Sequence, residues 1–473
     1  MRSFDISHVP NVYKTILISG LVLSSTIIFY YVIHPKSPTN SFVVSRIEKT
    51  LSQSTFTDTP TNISHLVFGI VGSEGAWHHR KGYGEAWWQP NVTRGYLYLD
   101  IPPTVDILPW SLTSPPYRVS EDLTKLINEI NPAVPILPRV LHAILEIFRE
   151  EDHEGFRWLV MGDDDTIFFV DNMVDVLAKY DHTKYYYIGS PSECLNSNFR
   201  FSFNMGFGGA GFALSYPLVK AFANNVEDCL KRYSHLVTGD IIEMSCIADF
   251  GVNLSPQKGL HQIDLRGDIS GLLSSHPKTP LMSLHHLDVV DPIFPNMDAI
   301  NSIHHLMKAA NIYQSRLLQQ TICYNRKHNW SISVSWGYSV HIYEKIMPRS
   351  LLQLPIETFQ PWAANPNPPF YMFNTRLPSN DQCESPHVFF FDSIEKMSDN
   401  LILTTYYRRS SRELPPCVSS SHSADYVTHI YVYSSVTKRI EINRCECCDH
   451  TYAEGAKNAV LKFRECMPDE IMA

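Results

Sequence analysis

Residues 158–169 read WLVMGDDDTIFF, so three consecutive carboxylates stand between two apolar runs. The first apolar run, over residues 156–161, predicts a buried strand that ends where the aspartates begin. Packed carboxylates repel one another and lose solvation, so such a cluster is costly unless a cation or hydrogen-bond donors compensate it. Hard oxygen ligands of this type suit Mn²⁺ or Mg²⁺ that bridges a diphosphate. The alternative is a solvated acidic turn that caps a helix starting near Asp171.

Strand-like and helix-like segments alternate around the aspartates. Short apolar runs predict further strands over residues 65–71 and 95–100. Residues 137–150 carry apolar side chains at the spacing of an amphipathic helix. This alternation predicts an α/β domain with a mostly parallel sheet over residues 65–300, whose ligands bind beyond the carboxyl ends of the strands.

The rest of the chain has a different pattern. Residues 331–343, 387–392 and 426–434 are strand-like and are separated by proline-rich segments. We therefore predict a smaller, β-rich C-terminal region over residues 301–473.

The composition limits the class of partner. A chain of 473 residues, of which 44% are hydrophobic, can bury a sizeable core. Its net charge of −9 is modest for this length, and no lysine- or arginine-rich run could follow a phosphate backbone. We therefore expect no nucleic-acid partner.

The N-terminal segment predicts a membrane anchor. Residues 15–33 include no charged side chain, and a helix of this length rises about 28 Å, which is enough for a thin bilayer. A cleaved signal peptide is the alternative, but residues 34–36 offer no small-residue cleavage site. We expect one transmembrane helix between a tail over residues 1–14 and a stem rich in Ser, Thr and Pro over residues 34–64.

Two features indicate that the body of the protein lies in an oxidising lumen. All ten cysteines follow the predicted anchor, from Cys194 to Cys466. The same side carries four glycosylation-type triplets, which begin at Asn62, Asn91, Asn253 and Asn329. Together they predict a single-pass, type II membrane protein with a short cytosolic tail.

The C-terminal cysteines allow two interpretations. The cluster of cysteines and a histidine over residues 445–450 could imitate a zinc site, but its spacing lacks the two-residue gaps that tetrahedral sites favour. In a lumenal region, disulfides that involve Cys383, Cys417 and Cys466 are the favoured interpretation.

A dense glycine segment lies downstream of the aspartates. Residues 206–215 read GFGGAGFALS, and a helix-like segment over residues 216–224 follows directly. Glycines let the backbone approach a ligand that side chains would exclude, and Gly208, Gly209 and Gly211 are the candidates for such contacts. A flexible turn is the alternative.

Taken in order, the strand with three aspartates and the GGAGFALS of residues 208–215 resemble the fringe-like branch of the inverting β1,3-glycosyltransferases. The sequence looks closest to a plant group related to fringe that is catalogued as a domain of unknown function. The similarity runs from about residue 65 to the C-terminus and includes WW at 87–88, SLHHLD at 283–288 and SWGY at 335–338. The resemblance implies a GT-A-type fold, a UDP-sugar donor, Mn²⁺, a glycan or glycoprotein acceptor and a location in the Golgi membrane.

The resemblance also implies roles for individual residues. Asp163 and Asp165 match the metal-binding aspartates, with Asp165 the direct ligand and Asp164 in support. His286 matches the position of a metal-binding histidine. Arg80 matches an arginine near the donor diphosphate, which Asp163 and Asp164 would also approach.

The residue that removes the acceptor proton departs from the family's pattern. Relatives carry two acids after the glycine segment, and here Asp240 matches the first while Ile241 occupies the second position. Isoleucine cannot accept a proton, so Asp240 is the candidate catalytic base. Two hypotheses follow: an active inverting glycosyltransferase that uses Asp240, or a catalytically silent Golgi protein that binds a nucleotide sugar or a glycan.

Overall fold

The computed structural model describes residues 59–471, apart from positions 278, 364–366, 409, 418–422, 437–445 and 454. No helix within this described part is long and apolar enough to cross a bilayer. The predicted anchor at residues 15–33, the tail at 1–14 and the stem up to residue 58 lie outside the described residues.

The first part of the chain alternates strands and helices. Its strands β1 to β10 are Leu66–Val71, Arg94–Leu99, Tyr117–Val119, Trp158–Asp163, Ile167–Phe168, Tyr187–Gly189, Phe212–Ser215, Leu254–Pro256, Leu265–Gly267 and Ser283–Leu284. Its helices α1 to α9 are Glu74–Trp87, Thr124–Ile130, Leu137–Glu150, Val170–Leu177, Leu195–Arg200, Tyr216–Ala223, Val226–Tyr233, Gly239–Ala248 and Ser270–Leu273.

A seven-stranded sheet organises this part, in the order β3-β2-β1-β4-β7-β6-β8. Neighbouring strands are parallel except at β7, which runs antiparallel to both β4 and β6. The predicted α/β architecture with a mostly parallel sheet is confirmed. Because β7 reverses direction between them, β4, β6 and β8 all end at the same edge of the sheet.

Helix α3 shows how the sequence pattern builds the core. Its apolar stripe buries Leu141, Ile144 and Leu145 in a cluster that also holds Val67 of β1 and Leu159 of β4. Burying each such side chain contributes about 1.5–3 kcal/mol. This packing fixes the position of the two strands whose ends carry the site.

The β-rich C-terminal region begins after α10 (Ala299–Tyr313). Its strands β11 to β19 are Gln320–Asn325, Trp330–Ser335, Ser339–Tyr343, Phe359–Pro361, His387–Ser398, Leu401–Tyr407, His429–Ser435, Cys447–Thr451 and Asn458–Arg464, with α11 at Arg349–Leu352. The predicted β-rich character of this region is confirmed.

Eight of these strands form a second sheet, in the order β11-β12-β13-β15-β16-β17-β19-β18. A disulfide between Cys323 of β11 and Cys448 of β18 joins its two edges, so the sheet curls into a barrel-like shape. Trp330 and Tyr406 of this sheet belong to the same hydrophobic core as Phe168 of the α/β part. The described residues of the two parts, from Pro60 on, therefore pack as one body.

The described cysteines are mostly paired. The disulfides are Cys229–Cys246, Cys323–Cys448, Cys383–Cys417 and Cys447–Cys466. The prediction that Cys383, Cys417 and Cys466 form disulfides is confirmed. Cys447 and Cys448 therefore cannot be the zinc ligands of the alternative interpretation, because a disulfide-bonded sulfur is not available as a thiolate ligand.

Candidate functional site

The three aspartates lie at the carboxyl end of β4, in the middle of the sheet. Asp163 is the last residue of β4 and pairs with Val71, the last residue of β1. Thr166 closes the turn, because its N–H donates to the Asp163 carbonyl over 3.0 Å and its hydroxyl accepts from the Asp163 N–H over 2.9 Å. The Asp165 side chain is buried, whereas that of Asp163 is 45% exposed. The turn thus presents two buried carboxylates, Asp164 and Asp165, and one open carboxylate, Asp163.

A short strand pairing brings a histidine to these carboxylates. Strands β5 and β10 pair antiparallel, and His285 follows β10 directly. The Nε2 atom of His285 lies 3.2 Å from Oδ1 of Asp165 and 3.6 Å from Oδ2 of Asp163. One potential ligand atom from each of the three side chains lies within 4.8 Å of the others. These three side chains form a candidate metal site.

The donor set fits a divalent cation. Both carboxylate oxygens of Asp165 are buried, and neither receives a well-aligned hydrogen bond from a described residue. Beside its ion pairs with Arg80 and His285, this carboxylate therefore keeps lone pairs that a cation could bind. Carboxylate oxygens suit Mn²⁺ and Mg²⁺, while an imidazole favours a transition metal, so the mixed set fits Mn²⁺ better than Mg²⁺.

His286, the predicted metal ligand, lies in a different environment. Its Nδ1 atom is 3.3 Å from Oδ1 of Asp264, and its ring stacks on Trp362 with centroids 4.8 Å apart. His285 continues β10, but the backbone turns at His286, where φ is 55°, so the two side chains take different directions. In the structure His285, and not His286, lies beside the two aspartates, and a metal-binding role of His286 stays a prediction.

Arg80 extends from α1 to the aspartates. Its Nη1 donates to Oδ1 of Asp164 over 2.8 Å, and its Nη2 donates to Oδ2 of Asp288 over 2.7 Å. Nη2 also lies 3.3 Å from Oδ2 of Asp165. Arg80 thus supplies positive charge to the carboxylate cluster, and its side chain remains 32% exposed. Asp288 was not predicted as a site residue, although it lies three residues after His285 in the SLHHLD segment.

The two buried aspartates differ in their electrostatics. Burial raises the pKa of Asp164 to about 6, despite its ion pair with Arg80. Burial also acts to raise the pKa of Asp165, but the contact with His285 and the charge of Arg80 together lower it to about 2. Asp165 is therefore ionised at neutral pH, as a metal ligand has to be.

The glycine segment makes room for side chains of this chain more than for a ligand. A Cβ at Gly209 would lie 2.1 Å from the His285 ring, and one at Gly211, where φ is 83°, would lie 2.6 Å from the Phe168 ring. Both glycines are buried. Both positions therefore serve the packing of the site, and the donor contacts of Gly209 and Gly211 stay predictions. Gly208 lines a small cavity, where a Cβ would lie 2.7 Å from Oδ1 of Asp240, and its donor contact stays a prediction.

Asp240 lies in the first turn of α8 and faces the end of β4. Together with Asp163 and Gly208 it borders a cavity of about 40 Å³. Burial raises the pKa of Asp240 to about 7, and the charge of Asp163 acts in the same direction. Ile241 packs half-buried against the hydrophobic core instead. Of the two positions at which relatives carry acids, the first, Asp240, therefore lines the cavity, and the second, Ile241, does not.

Glu243 is a further acid of this cavity that was not predicted. It lies one helical turn after Asp240, is 5% exposed, and its Oε1 atom has no hydrogen-bond partner among the described residues. Burial, together with the charge of Asp240, raises the pKa of Glu243 well above its ordinary value. The three-residue spacing between the two acids on a predicted helix is the signal that could have revealed it.

We expect Glu243→Gln to stabilise the fold, and to do so more strongly as the pH rises. The folded-state pKa is raised, so the native glutamate loses stability as the pH rises above its ordinary pKa near 4.5. The advantage of the amide should grow by up to about 1.4 kcal/mol per pH unit. Urea unfolding of the detergent-solubilised chain at pH 5 and pH 8 measures it. The exposed Glu227→Gln is the control, and an equal effect of both substitutions at both pH values would contradict the assignment.

Comparison with known families places the chain in one of them. A family model described as "Protein of unknown function, DUF604" matches residues 197–448, which is more than half of the chain. The match includes the glycine segment, Asp240 and His285, and it begins after the three aspartates. No curated protein matches the chain. The chain therefore belongs to the DUF604 family, whose description states no activity.

Proposed function

We propose that the chain is an inverting, metal-dependent glycosyltransferase that transfers a sugar from a UDP-sugar to a glycan or glycoprotein acceptor. The observation that carries this proposal is the group of Asp163, Asp165 and His285 at the carboxyl edge of a mostly parallel sheet. Ligands of open α/β sheets bind beyond this edge. A GT-A-type fold, which keeps its metal and its donor at that place, accounts for the arrangement.

The site contains the charges that a nucleotide-diphosphate donor requires. Asp163, Asp165 and His285 would hold Mn²⁺, which when bound supplies a Lewis acid that stabilises the departing diphosphate. The exposed face of the Arg80 guanidinium adds positive charge beside that position. Asp164 and Asp288 hold the guanidinium in a fixed orientation, so the position of its charge is set before the donor binds.

Asp240 would remove the proton from the acceptor hydroxyl. With a pKa of about 7, its carboxylate is ionised in a large fraction of molecules at neutral pH and is more basic than an ordinary aspartate. As the acceptor oxygen attacks the anomeric carbon, its proton passes to this carboxylate and the bond to the diphosphate breaks on the opposite face. A single displacement of this kind inverts the anomeric configuration.

We further propose that the protein is a single-pass, type II protein of the Golgi membrane with the body of the chain in the lumen. Disulfides persist in oxidising compartments, and the described residues contain several of them. The asparagines of the four glycosylation-type triplets are all exposed, at Asn62, Asn91, Asn253 and Asn329. Exposed acceptor sites and disulfides together support the lumenal orientation.

We expect at least one of these asparagines to carry a glycan that an endoglycosidase removes. Digestion of the protein from microsomes should lower its mass, and protease added to intact microsomes should leave the body of the chain protected. A variant with all four asparagines replaced by Gln is the control. An unglycosylated protein that protease degrades in intact microsomes would overturn the lumenal orientation.

Binding of UDP in the presence of Mn²⁺ tests the proposed activity without knowledge of the sugar. Calorimetric titration of UDP into the detergent-solubilised chain should give binding with Mn²⁺ and none after EDTA treatment. ADP is the matched control for the base. Equal binding of UDP with and without the metal would contradict the role assigned to the two aspartates and His285.

A further inference from the structure

A second and larger cavity lies beside the site. It has a volume of about 660 Å³ and is lined by residues from the α/β part and from the β-rich region. This volume is in the range of small-molecule binding sites. We propose that this cavity binds the acceptor, and that the acceptor is a neutral glycoside with an apolar aglycone. The inference rests on the proposed glycosyltransferase function and extends it to the substrate.

The sheet places the cavity next to the candidate metal site. Strands β4, β6 and β8 run in the same direction and end at one edge. Asp163 is the last residue of β4, and the cavity residues 190–193 and 258–261 follow β6 and β8. The cavity therefore lies further along the edge that carries the metal site, where ligands of such sheets bind.

Contacts connect the cavity wall to the segment that carries His285 and His286. The Ser192 hydroxyl donates to Oδ2 of Asp264 over 2.7 Å, and Asp264 contacts His286 at 3.3 Å. The backbone N–H of His285 donates to the carbonyl of His261 over 3.1 Å. One segment of chain thus separates the cavity from His285, so an acceptor held in the cavity has to extend past only this segment to reach the donor.

The β-rich region supplies the other wall of the cavity. The N–H of Met372 donates to the carbonyl of Glu193 over 2.9 Å, and Tyr371 pairs with Cys194. Residues 353–355 and 372–374 line this side of the cavity. The C-terminal region is therefore part of the binding site, which gives it a role in choosing the acceptor.

The charged groups of the lining favour a neutral ligand. Lys258 is exposed. The carboxylate of Glu193 is already engaged by His261 at 2.8 Å and by the N–H of Ile263 at 2.7 Å. Burial lowers the pKa of His276 well below its ordinary value, so this imidazole is neutral. The described lining residues therefore offer no cluster of positive charge for a phosphate or a second nucleotide.

The rest of the lining is amphipathic. Apolar side chains cover much of the wall, including Leu260, Leu272, Leu354 and Phe373. Hydroxyl and amide groups accompany them, at Ser275, Gln353 and Asn374. Apolar walls bind the hydrophobic part of a ligand, while a few polar groups orient it. A sugar with an aromatic or aliphatic aglycone combines both kinds of surface, which a free sugar does not.

Binding of simple aryl glycosides tests the inference. The full chain, held in nanodiscs, is titrated with 4-nitrophenyl and methyl β-glycosides of glucose, galactose and N-acetylglucosamine. At least one aryl glycoside should bind ten times or more tighter than the methyl glycoside of the same sugar. Met372→Trp and Asn374→Trp, which place an indole at exposed positions of the cavity wall, should each weaken that binding tenfold or more. Leu377→Trp, at an exposed position outside the cavity, is the matched control and should bind like the wild type.

Binding of UDP with Mn²⁺, measured on the same samples, shows that each variant is folded and separates the two proposals. Two results would overturn only the proposal that the cavity binds the acceptor. In the first, the chain binds UDP with Mn²⁺ but shows no preference for aryl glycosides. In the second, both cavity variants keep that preference. A different result would overturn the glycosyltransferase function: the cavity binds aryl glycosides, but the chain has no affinity for UDP. In that case the glycoside would not be an acceptor.

Discussion

Asp240→Asn should leave UDP binding nearly unchanged and lower the rate of sugar transfer by about 10²–10⁴-fold, the usual contribution of a general base. The amide keeps the shape of the carboxylate beside Asp163 and Gly208 but cannot accept a proton. Steady-state transfer rates, together with calorimetry of UDP binding, measure the two effects separately. Asp228→Asn, at an exposed position of α7, is the matched control and should change neither.

Two results would contradict this role for Asp240. Transfer that survives Asp240→Asn unchanged would mean that another group is the base. A wild-type chain that binds UDP and transfers no sugar from any donor would favour the catalytically silent binder. In that second case Ile241→Asp is the next variant. If it restores transfer, the wild-type chain is inactive because it lacks a carboxylate at position 241.

The pH dependence of transfer should report the same carboxyl group. Burial and the charge of Asp163 raise the pKa of Asp240 to about 7, and the reaction needs the deprotonated form. In Mn²⁺, which transfer requires, the value of kcat/KM should therefore rise with pH and level off, with the midpoint of the rise at or below about 7. Saturating Mn²⁺ would neutralise the charge of Asp163 and move the rise to lower pH. The residual activity of Asp240→Asn should lack this rise, and a rise that persists unchanged would assign it to another group.

Asp165→Ala should abolish the Mn²⁺-dependent binding of UDP, with a loss of affinity above about 100-fold. Even residues that only hydrogen-bond to a metal ligand typically contribute about 10–100-fold, and Asp165 would be a direct ligand. It is also the carboxylate whose pKa is lowered to about 2, so it is ionised when the metal binds. Calorimetry with UDP and Mn²⁺ measures the loss. Undiminished, metal-dependent affinity in the variant would remove Asp165 from the site.

Two histidine variants provide the matched comparison for this prediction. His285→Ala should weaken metal-dependent UDP binding as strongly as Asp165→Ala, because the imidazole lies 3.2 Å from Asp165. His286→Ala should weaken it less, because its side chain contacts Asp264 and Trp362. The opposite order would identify His286 as the metal ligand.

The local pattern of the sequence predicts much of the α/β part. The amphipathic segment over residues 137–150 coincides with α3, since its apolar stripe is itself what packs on the sheet. In the β-rich region the sequence pattern does not reveal one of the turns. Residues 331–343 look like one strand-like segment but form β12 and β13, because the chain reverses at Gly337, where φ is 77°. A tight turn between two fully buried strands leaves no polar break in the sequence.

The sequence indicates residues of the candidate site where they are adjacent in the chain, and misses those that only the fold brings together. The three aspartates and Asp240 were recognisable, but the choice between His285 and His286 depends on a backbone turn that spacing cannot reveal. Long-range contacts are also invisible to local patterns. The stacking of Trp362 on His286 belongs to this class.

The disulfides illustrate the same limit. The participation of Cys383, Cys417 and Cys466 followed from the compartment that the sequence predicts. Their partners, Cys417, Cys383 and Cys447, did not follow, since connectivity cannot be deduced from sequence alone.

Release of UDP from a panel of UDP-sugars tests the central claim most directly. The full chain is incubated with each donor, with and without a panel of neutral aryl glycosides as acceptors, in Mn²⁺ and in EDTA. The proposed function predicts that at least one donor releases UDP in Mn²⁺, that an acceptor accelerates the release, and that EDTA or Asp165→Ala stops it. A chain that releases no UDP from any donor in Mn²⁺, or that releases it equally in EDTA, would contradict the claim that this is a metal-dependent glycosyltransferase.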